Sequence, residues 1–231
     1  MAYVYEDYRD LKVIERVEEA DGVVSIRLEA PEGERLPGWD PGAHIDVQLE
    51  NGVERQYSLC SHFGADTWRI AILNEPQSRG GSSYIHEHVK VGDAVRTRGP
   101  RNNFPLVDAP AYLFIAGGIG VTPMIPMLGE VIFDKDAPWT FWYGGRTRAS
   151  MACRDRLEGL GVTLWPEDEK GLLPLKKILT DAAPDTAVYC CGPGPLIDAV
   201  EQACAKLGRP APHVERFSAK HRRRLVRVPH R

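Results

Sequence analysis

The sequence predicts a β domain followed by an α/β domain: an N-terminal antiparallel β-barrel, then a parallel sheet wrapped by helices. Three observations predict it. Up to about Val107, short β-rich runs alternate with Gly- and Pro-bearing turns, the spacing of a small barrel or sandwich. From Asp108 onward, short apolar strands alternate with helical stretches of about 10–13 residues, as a parallel sheet requires. Two glycine-rich turns in this second half each follow an apolar run and open a helix. The expected division is 1–107, 108–219 and a basic tail, 220–231, expected to be disordered.

In the first part the strand runs are Leu11–Val17, Val23–Ala30, His44–Leu49, Arg55–Cys60, Trp68–Leu73 and Ala94–Arg98. Turn clusters such as Ala20-Asp21-Gly22, Asp40-Pro41-Gly42 and Asn51-Gly52 separate them. Tyr84–Val89 is the one short helical stretch there. The second part reads as strand Tyr112–Ala116, helix Pro123–Phe133, strand Thr140–Tyr143, helix Ser150–Leu160 and strand Val162–Trp165. Helix Leu173–Ala182, strand Ala187–Cys191, helix Pro195–Leu207 and strand His213–Phe217 complete it.

Composition narrows the function classes. The 231 residues are 43% hydrophobic and 26% charged, ordinary globular values. No apolar run approaches the roughly 20 residues of a membrane span, and the acidic N-terminus has no signal-peptide core. The net charge of −3 hides an asymmetry: residues 220–231 carry six Lys/Arg and no acid, leaving 23 basic against 32 acidic side chains elsewhere. Such a body does not suit nucleic acid, which wants a basic face on the fold. The five cysteines, Cys60, Cys153, Cys190, Cys191 and Cys204, form no C-x2-C pair and no iron–sulfur spacing. Reduced thiols in a cytoplasmic protein, and no metal site, are expected. His86 and His88 at i, i+2 point apart on a helix.

The glycine-rich turns carry the chemistry. Ala116-Gly117-Gly118-Ile119-Gly120-Val121-Thr122-Pro123 follows a strand and opens a helix, where close-approaching amides can hold a pyrophosphate. It departs from G-x-G-x-x-G, since Pro123 stands at the third glycine. Cys190-Cys191-Gly192-Pro193-Gly194-Pro195 is a second such turn, and the pair favours dinucleotide binding over two tight connections. In the first half Ser78-Arg79-Gly80-Gly81-Ser82 opens a helix and offers amides and a hydroxyl to an anion, or simply caps a solvent loop. In Arg55-Gln56-Tyr57-Ser58, strand alternation puts Arg55 and Tyr57 on one face and Ser58 on the other.

In order and spacing, Arg55–Cys60, Arg79–Ser82, Gly117–Pro123, Cys190–Pro193 and His213–Phe217 resemble the ferredoxin–NADP reductase superfamily, nearest its phthalate dioxygenase reductase branch. The resemblance spans most of residues 10–219. It implies a flavin-binding barrel and a nicotinamide-binding α/β domain. Arg55, Gln56, Tyr57 and Ser58 would hold the flavin, with Ala71 and Leu73 along its edge and Arg79, Gly80, Gly81 and Ser82 at its phosphate. The R-G-G-S form is similar to the FMN-binding branch, so FMN is expected and FAD is the alternative. Gly117, Gly118, Gly120, Thr122 and Pro123 would take the dinucleotide. Cys191, Gly192 and Pro193 would close over the nicotinamide, with Glu215 nearby and Phe217 on the flavin face. Ser58, Cys191 and Glu215 would form the wall where hydride passes. NADH is expected; Arg146 and Arg148, after the second strand, keep NADPH open through a 2′-phosphate. The implied partners are a [2Fe–2S] centre and a terminal oxygenase. The branch carries that centre in a C-terminal domain that this sequence lacks, so a separate carrier, a shortened chain or a small acceptor is expected.

Overall fold

The computed structural model describes residues 5–62, 64–75 and 80–217. Arg79 and the tail 220–231 lie outside the described residues.

The first half forms a six-stranded antiparallel sheet from β1 (Tyr5–Ala20), β2 (Val23–Glu29), β3 (Ala43–Gln48), β4 (Glu54–Ser58), β5 (Trp68–Leu73) and β6 (Ala94–Asn102). Their order is β4-β3-β6-β1-β2-β5. The sheet curls until its two edges meet, the Cys60 amide just past β4 donating to the Arg69 carbonyl of β5 at 2.8 Å. Alternation explains the curl. Ile45 and Val47 of β3, Ile26 and Leu28 of β2 and Ile70 and Ile72 of β5 turn into one buried cluster around Trp68. The intervening residues face outward and carry the polar chemistry. β1 is far longer than its apolar run, and register shifts near Val13/Glu15 and Glu18/Ala20 bend it.

The second half is a parallel sheet ordered β11-β10-β7-β8-β9, from β7 (Tyr112–Gly117), β8 (Trp139–Gly145), β9 (Thr163–Pro166), β10 (Ala187–Cys191) and β11 (His213–Glu215). Every residue of β7 is buried, as an apolar central strand covered on both faces should be. The helices are α1 (Gly81–His88) beside the first sheet, then α2 (Met124–Glu130), α3 (Glu167–Lys170), α4 (Leu175–Asp181) and α5 (Gly194–Lys206).

One expected helix is absent. Ser150–Leu160 folds as two short 3-10 turns, Arg148–Ser150 and Arg154–Arg156. Cys153 between them takes a left-handed φ of 55°. Tertiary anchoring overrides helix propensity here. Met151, Ala152 and Cys153 are three consecutive residues and all are buried, which no single helical face allows. Arg156 then reaches the first sheet, donating to the Cys60 carbonyl at 3.0 Å and to Glu19 at 2.8 Å. The last strand is also shorter than expected, because Arg216 swings away to α5 and bonds Asp198 at 2.8 Å and Glu201 at 2.7 Å. Among the described residues no helix is long and apolar enough to cross a membrane.

Candidate functional site

The site forms where the outer face of the curled sheet meets the carboxyl edge of the parallel one. Ser58, the last residue of β4, is buried and donates to the Glu215 carboxylate at 3.2 Å, joining residues 157 positions apart. Glu215 ends β11 and pairs in register with Cys191 of β10, which pairs in turn with Ala116 of β7. Ser58, Cys191 and Glu215 are therefore brought together. Burial dominates their ionisation. It lifts the Glu215 carboxyl to about 7 against the opposing hydrogen bond from Ser58. Burial, then the charge of Glu215, pushes the Cys191 thiol well up, so it stays protonated at neutral pH.

The two glycine turns interlock behind these side chains. A Cβ on Gly120 would stand 2.3 Å from the Cys191 carbonyl oxygen, and one on Gly192 would stand 3.0 Å from the Gly117 backbone. Only glycine permits this backbone-on-backbone contact. Pro193 is the N-cap of α5 just beyond it. Thr122 is buried, but its hydroxyl donates to the Ile119 carbonyl at 3.0 Å, inside its own turn. Pro123 caps α2.

In the first sheet Arg55 lies across the start of α1. A Cβ on Gly81 would come within 2.9 Å of its Cγ and Nε. Gly80 caps α1 in a left-handed conformation, and its carbonyl accepts from Asn51 at 2.9 Å. The Ser82 hydroxyl accepts from the Glu75 amide at 3.1 Å. Tyr57 shares the Arg55 face and packs against the barrel core; burial pushes its hydroxyl up to about 12. Gln56 points the other way and donates to Asp46 at 3.1 Å. Ala71 belongs to the buried cluster shared with Tyr112 and Met124, and Leu73 packs against it, so this face of β5 looks toward the second sheet. Arg146 is exposed just past β8, whereas Arg148 is held by Glu169 at 3.2 and 2.9 Å. Phe217, the last described residue, is 49% exposed.

Three features escaped sequence reasoning. His44 of β3 pairs with Ser58 across the strands, is buried, and neither ring nitrogen has a hydrogen-bond partner. Burial, then Arg101, pulls its pKa down, so the ring is neutral. The His44/Asp46 alternation in an otherwise apolar run was its available signal. Beside it, the buried carboxylate of Asp46 bonds Arg98 and Arg101. Glu19, which takes Arg156 from the other half and Ser25 at 2.6 Å, had no local signal.

Comparison with known proteins bears directly on this arrangement. The oxidoreductase NAD-binding domain family matches residues 114–202, from β7 through most of α5. The carnitine monooxygenase reductase subunit of Escherichia coli (strain K12) is 37% identical over 226 residues, covering 92% of this chain and 70% of that protein. The chain belongs to the ferredoxin–NADP reductase superfamily. Within this superfamily of flavin- and nicotinamide-dependent oxidoreductases, it is related to reductase subunits of bacterial oxygenase systems. The phenoxybenzoate dioxygenase subunit beta of Ectopseudomonas oleovorans is 41% identical over 207 residues, 87% of this chain and 64% of that one. The chain thus spans about two thirds of the length of these relatives. The solved phthalate dioxygenase reductase, described as a modular structure for electron transfer from pyridine nucleotides to [2Fe–2S], superposes with a TM-score of 0.86 at 29% identity. The match covers 92% of this chain and 69% of that one. Among the described residues no cluster of three or more His, Cys, Asp or Glu could hold a metal, and all five cysteines are free and buried.

Proposed function

We propose that this chain is a cytoplasmic reductase component that binds FMN, oxidises NADH and hands electrons to a separate [2Fe–2S] carrier serving a terminal oxygenase. The observation that carries it is the Ser58–Glu215 bridge, which ties the first sheet's outer face to the parallel sheet's carboxyl edge beside Cys191. The residues fit a flavin phosphate. Arg55 lies so close over the first turn of α1 that a Cβ on Gly81 would meet its Cγ and Nε at 2.9 Å, which puts a guanidinium beside the turn's amides. FMN is favoured over FAD because the R-G-G-S form of Arg79–Ser82 is similar to the FMN-binding branch. NADH is favoured over NADPH because Glu167, Asp168 and Glu169 flank the arginines beyond β8. The domain division 1–107 and 108–219 is part of the same reading, with one cofactor assigned to each.

When bound, the flavin supplies a ring that accepts hydride and releases electrons singly. The chain's own work is positioning. Tyr57 would lie along the ring, Ser58 would set its hydroxyl at the junction, and Cys191, Gly192 and Pro193 would wall the nicotinamide side against water. Glu215, its carboxyl lifted to about 7, is about half protonated at neutral pH and so can hold a proton beside the nicotinamide. A second reading is direct reduction of a small quinone. It is favoured by the tetrachlorobenzoquinone reductase of Sphingobium chlorophenolicum, 34% identical over 220 residues.

The visible spectrum of the purified protein, recorded before and after anaerobic NADH, tests the proposal. The expected result is a yellow flavoprotein that bleaches with NADH and passes electrons to a plant-type ferredoxin. No chromophore even after FMN or FAD is added overturns the flavoenzyme reading. Bleaching that only a quinone reverses selects the second reading.

A further inference from the structure

The carboxyl ends of β8 and β9 lie side by side, with Gly145 paired to Pro166. The segments that follow face each other with opposite charge: Arg146-Thr147-Arg148 from β8, and Glu167-Asp168-Glu169 from β9. The Asp168 amide donates to the Arg146 carbonyl at 3.1 Å, which fixes the two segments together. Arg148 then grips Glu169 with two prongs, Nε to Oε1 at 3.2 Å and Nη2 to Oε2 at 2.9 Å. The Thr147 hydroxyl is taken by the Ser150 amide at 3.2 Å. Lys170 turns back to the Leu164 carbonyl at 3.0 Å and lies over the Trp165 ring. Arg146 is thus the cation at this edge for which the described residues show no side-chain partner.

In a doubly wound sheet, the end of the strand after the first glycine turn receives the adenosine ribose. A carboxylate there suits a 2′-hydroxyl, and a free arginine suits a 2′-phosphate. Here that strand is β8, and its arginines alone would suit the phosphate. The neighbouring strand changes the outcome. We propose that Glu169 is a positioning residue that sets reductant specificity: by holding Arg148 in a two-pronged ion pair, it withholds one of the two guanidiniums a 2′-phosphate needs, and so selects NADH over NADPH. This rests on the nicotinamide-binding reading above. Both partners are 44% exposed, so the pair holds Arg148 only modestly, and its removal is expected to shift nucleotide preference by a modest factor. Once Glu169 is replaced, the freed Arg148 guanidinium can fork a phosphate.

Calorimetric titration with adenosine 2′,5′-bisphosphate and with adenosine 5′-monophosphate tests this without any turnover. Glu169→Gln is expected to raise the affinity ratio in favour of the bisphosphate about five- to tenfold, and Arg148→Ala in the same background is expected to abolish the gain. In steady state the gain with NADPH is expected in KM rather than kcat. An unchanged ratio in Glu169→Gln overturns the proposal, as does a gain that survives Arg148→Ala. Failure of the unaltered protein to bind either nucleotide defeats the nicotinamide reading itself, and this inference with it.

Discussion

The two halves build their share of the site by opposite means. The curled sheet uses side chains on one short strand: Arg55, Tyr57 and Ser58 of β4 fan to its two faces. The parallel sheet uses main chain: the Gly117–Gly120 and Gly192 turns press against each other, and the side chains they carry are small or turned inward like that of Thr122. The difference follows from topology. An antiparallel strand presents alternate side chains to solvent or ligand along its whole length. A buried parallel sheet offers a ligand only its carboxyl-edge loops, where amides can approach if no Cβ intervenes. Removing atoms should therefore damage the first half, and adding them should damage the second.

The sharpest break of this contrast is Gly120→Ala. Its new methyl would meet a backbone carbonyl, which cannot move aside as a side chain can. A loss of about 3 kcal/mol in urea unfolding, with no reduction by NADH, is expected. A near-neutral result would mean that the loops are not interlocked.

Glu215→Gln probes the junction between the halves through pH. The carboxyl titrates at about 7 in the folded chain, above its ordinary value near 4.5. Its proton therefore favours the folded state at low pH, and this contribution is lost as pH rises through about 7. The glutamine variant should match the parent at pH 4 and exceed it by about 2–3 kcal/mol at pH 8. Parallel stability curves across that range would show that Glu215 is not desolvated.

Arg55→Ala removes a side chain from the side-chain half. Flavin affinity should fall roughly 10- to 30-fold, about 1.4–2 kcal/mol, with little change in folding. Fluorescence titration with FMN measures it. Gly118→Ala is the mildest test. Gly118 has open space where a Cβ would stand but a φ of +52°. A cost of about 1 kcal/mol, well below that at Gly120, is expected from thermal unfolding.

Much of this was legible in the residues. Apolar runs with period two, and then apolar runs spaced by helices, located the strands of both sheets, because burial of one or both faces writes itself into local pattern. The glycine turns were legible because close backbone approach permits no other residue. The segment Ser150–Leu160 was not. Its apolar spacing mimics a helix, but Met151–Cys153 is claimed by the core and Arg156 by Glu19 in the other half. His44, which opens the expected strand run His44–Leu49, is buried one residue into β3, beside Ser58.

What the sequence determined by itself was the order of the two folding units, the family and the residue types that each loop can bear. These depend on period, turn chemistry and the absence of a Cβ, all of which are local. Which distant groups meet was decided only by the tertiary structure. It brought Ser58 to Glu215, set Glu19 against Arg156, and engaged Arg148 with Glu169 while leaving Arg146 exposed. The physical reason is that desolvation and ion pairing act through space. A carboxyl lifted to about 7, or an arginine already neutralised, is a property of neighbours that no local spacing encodes.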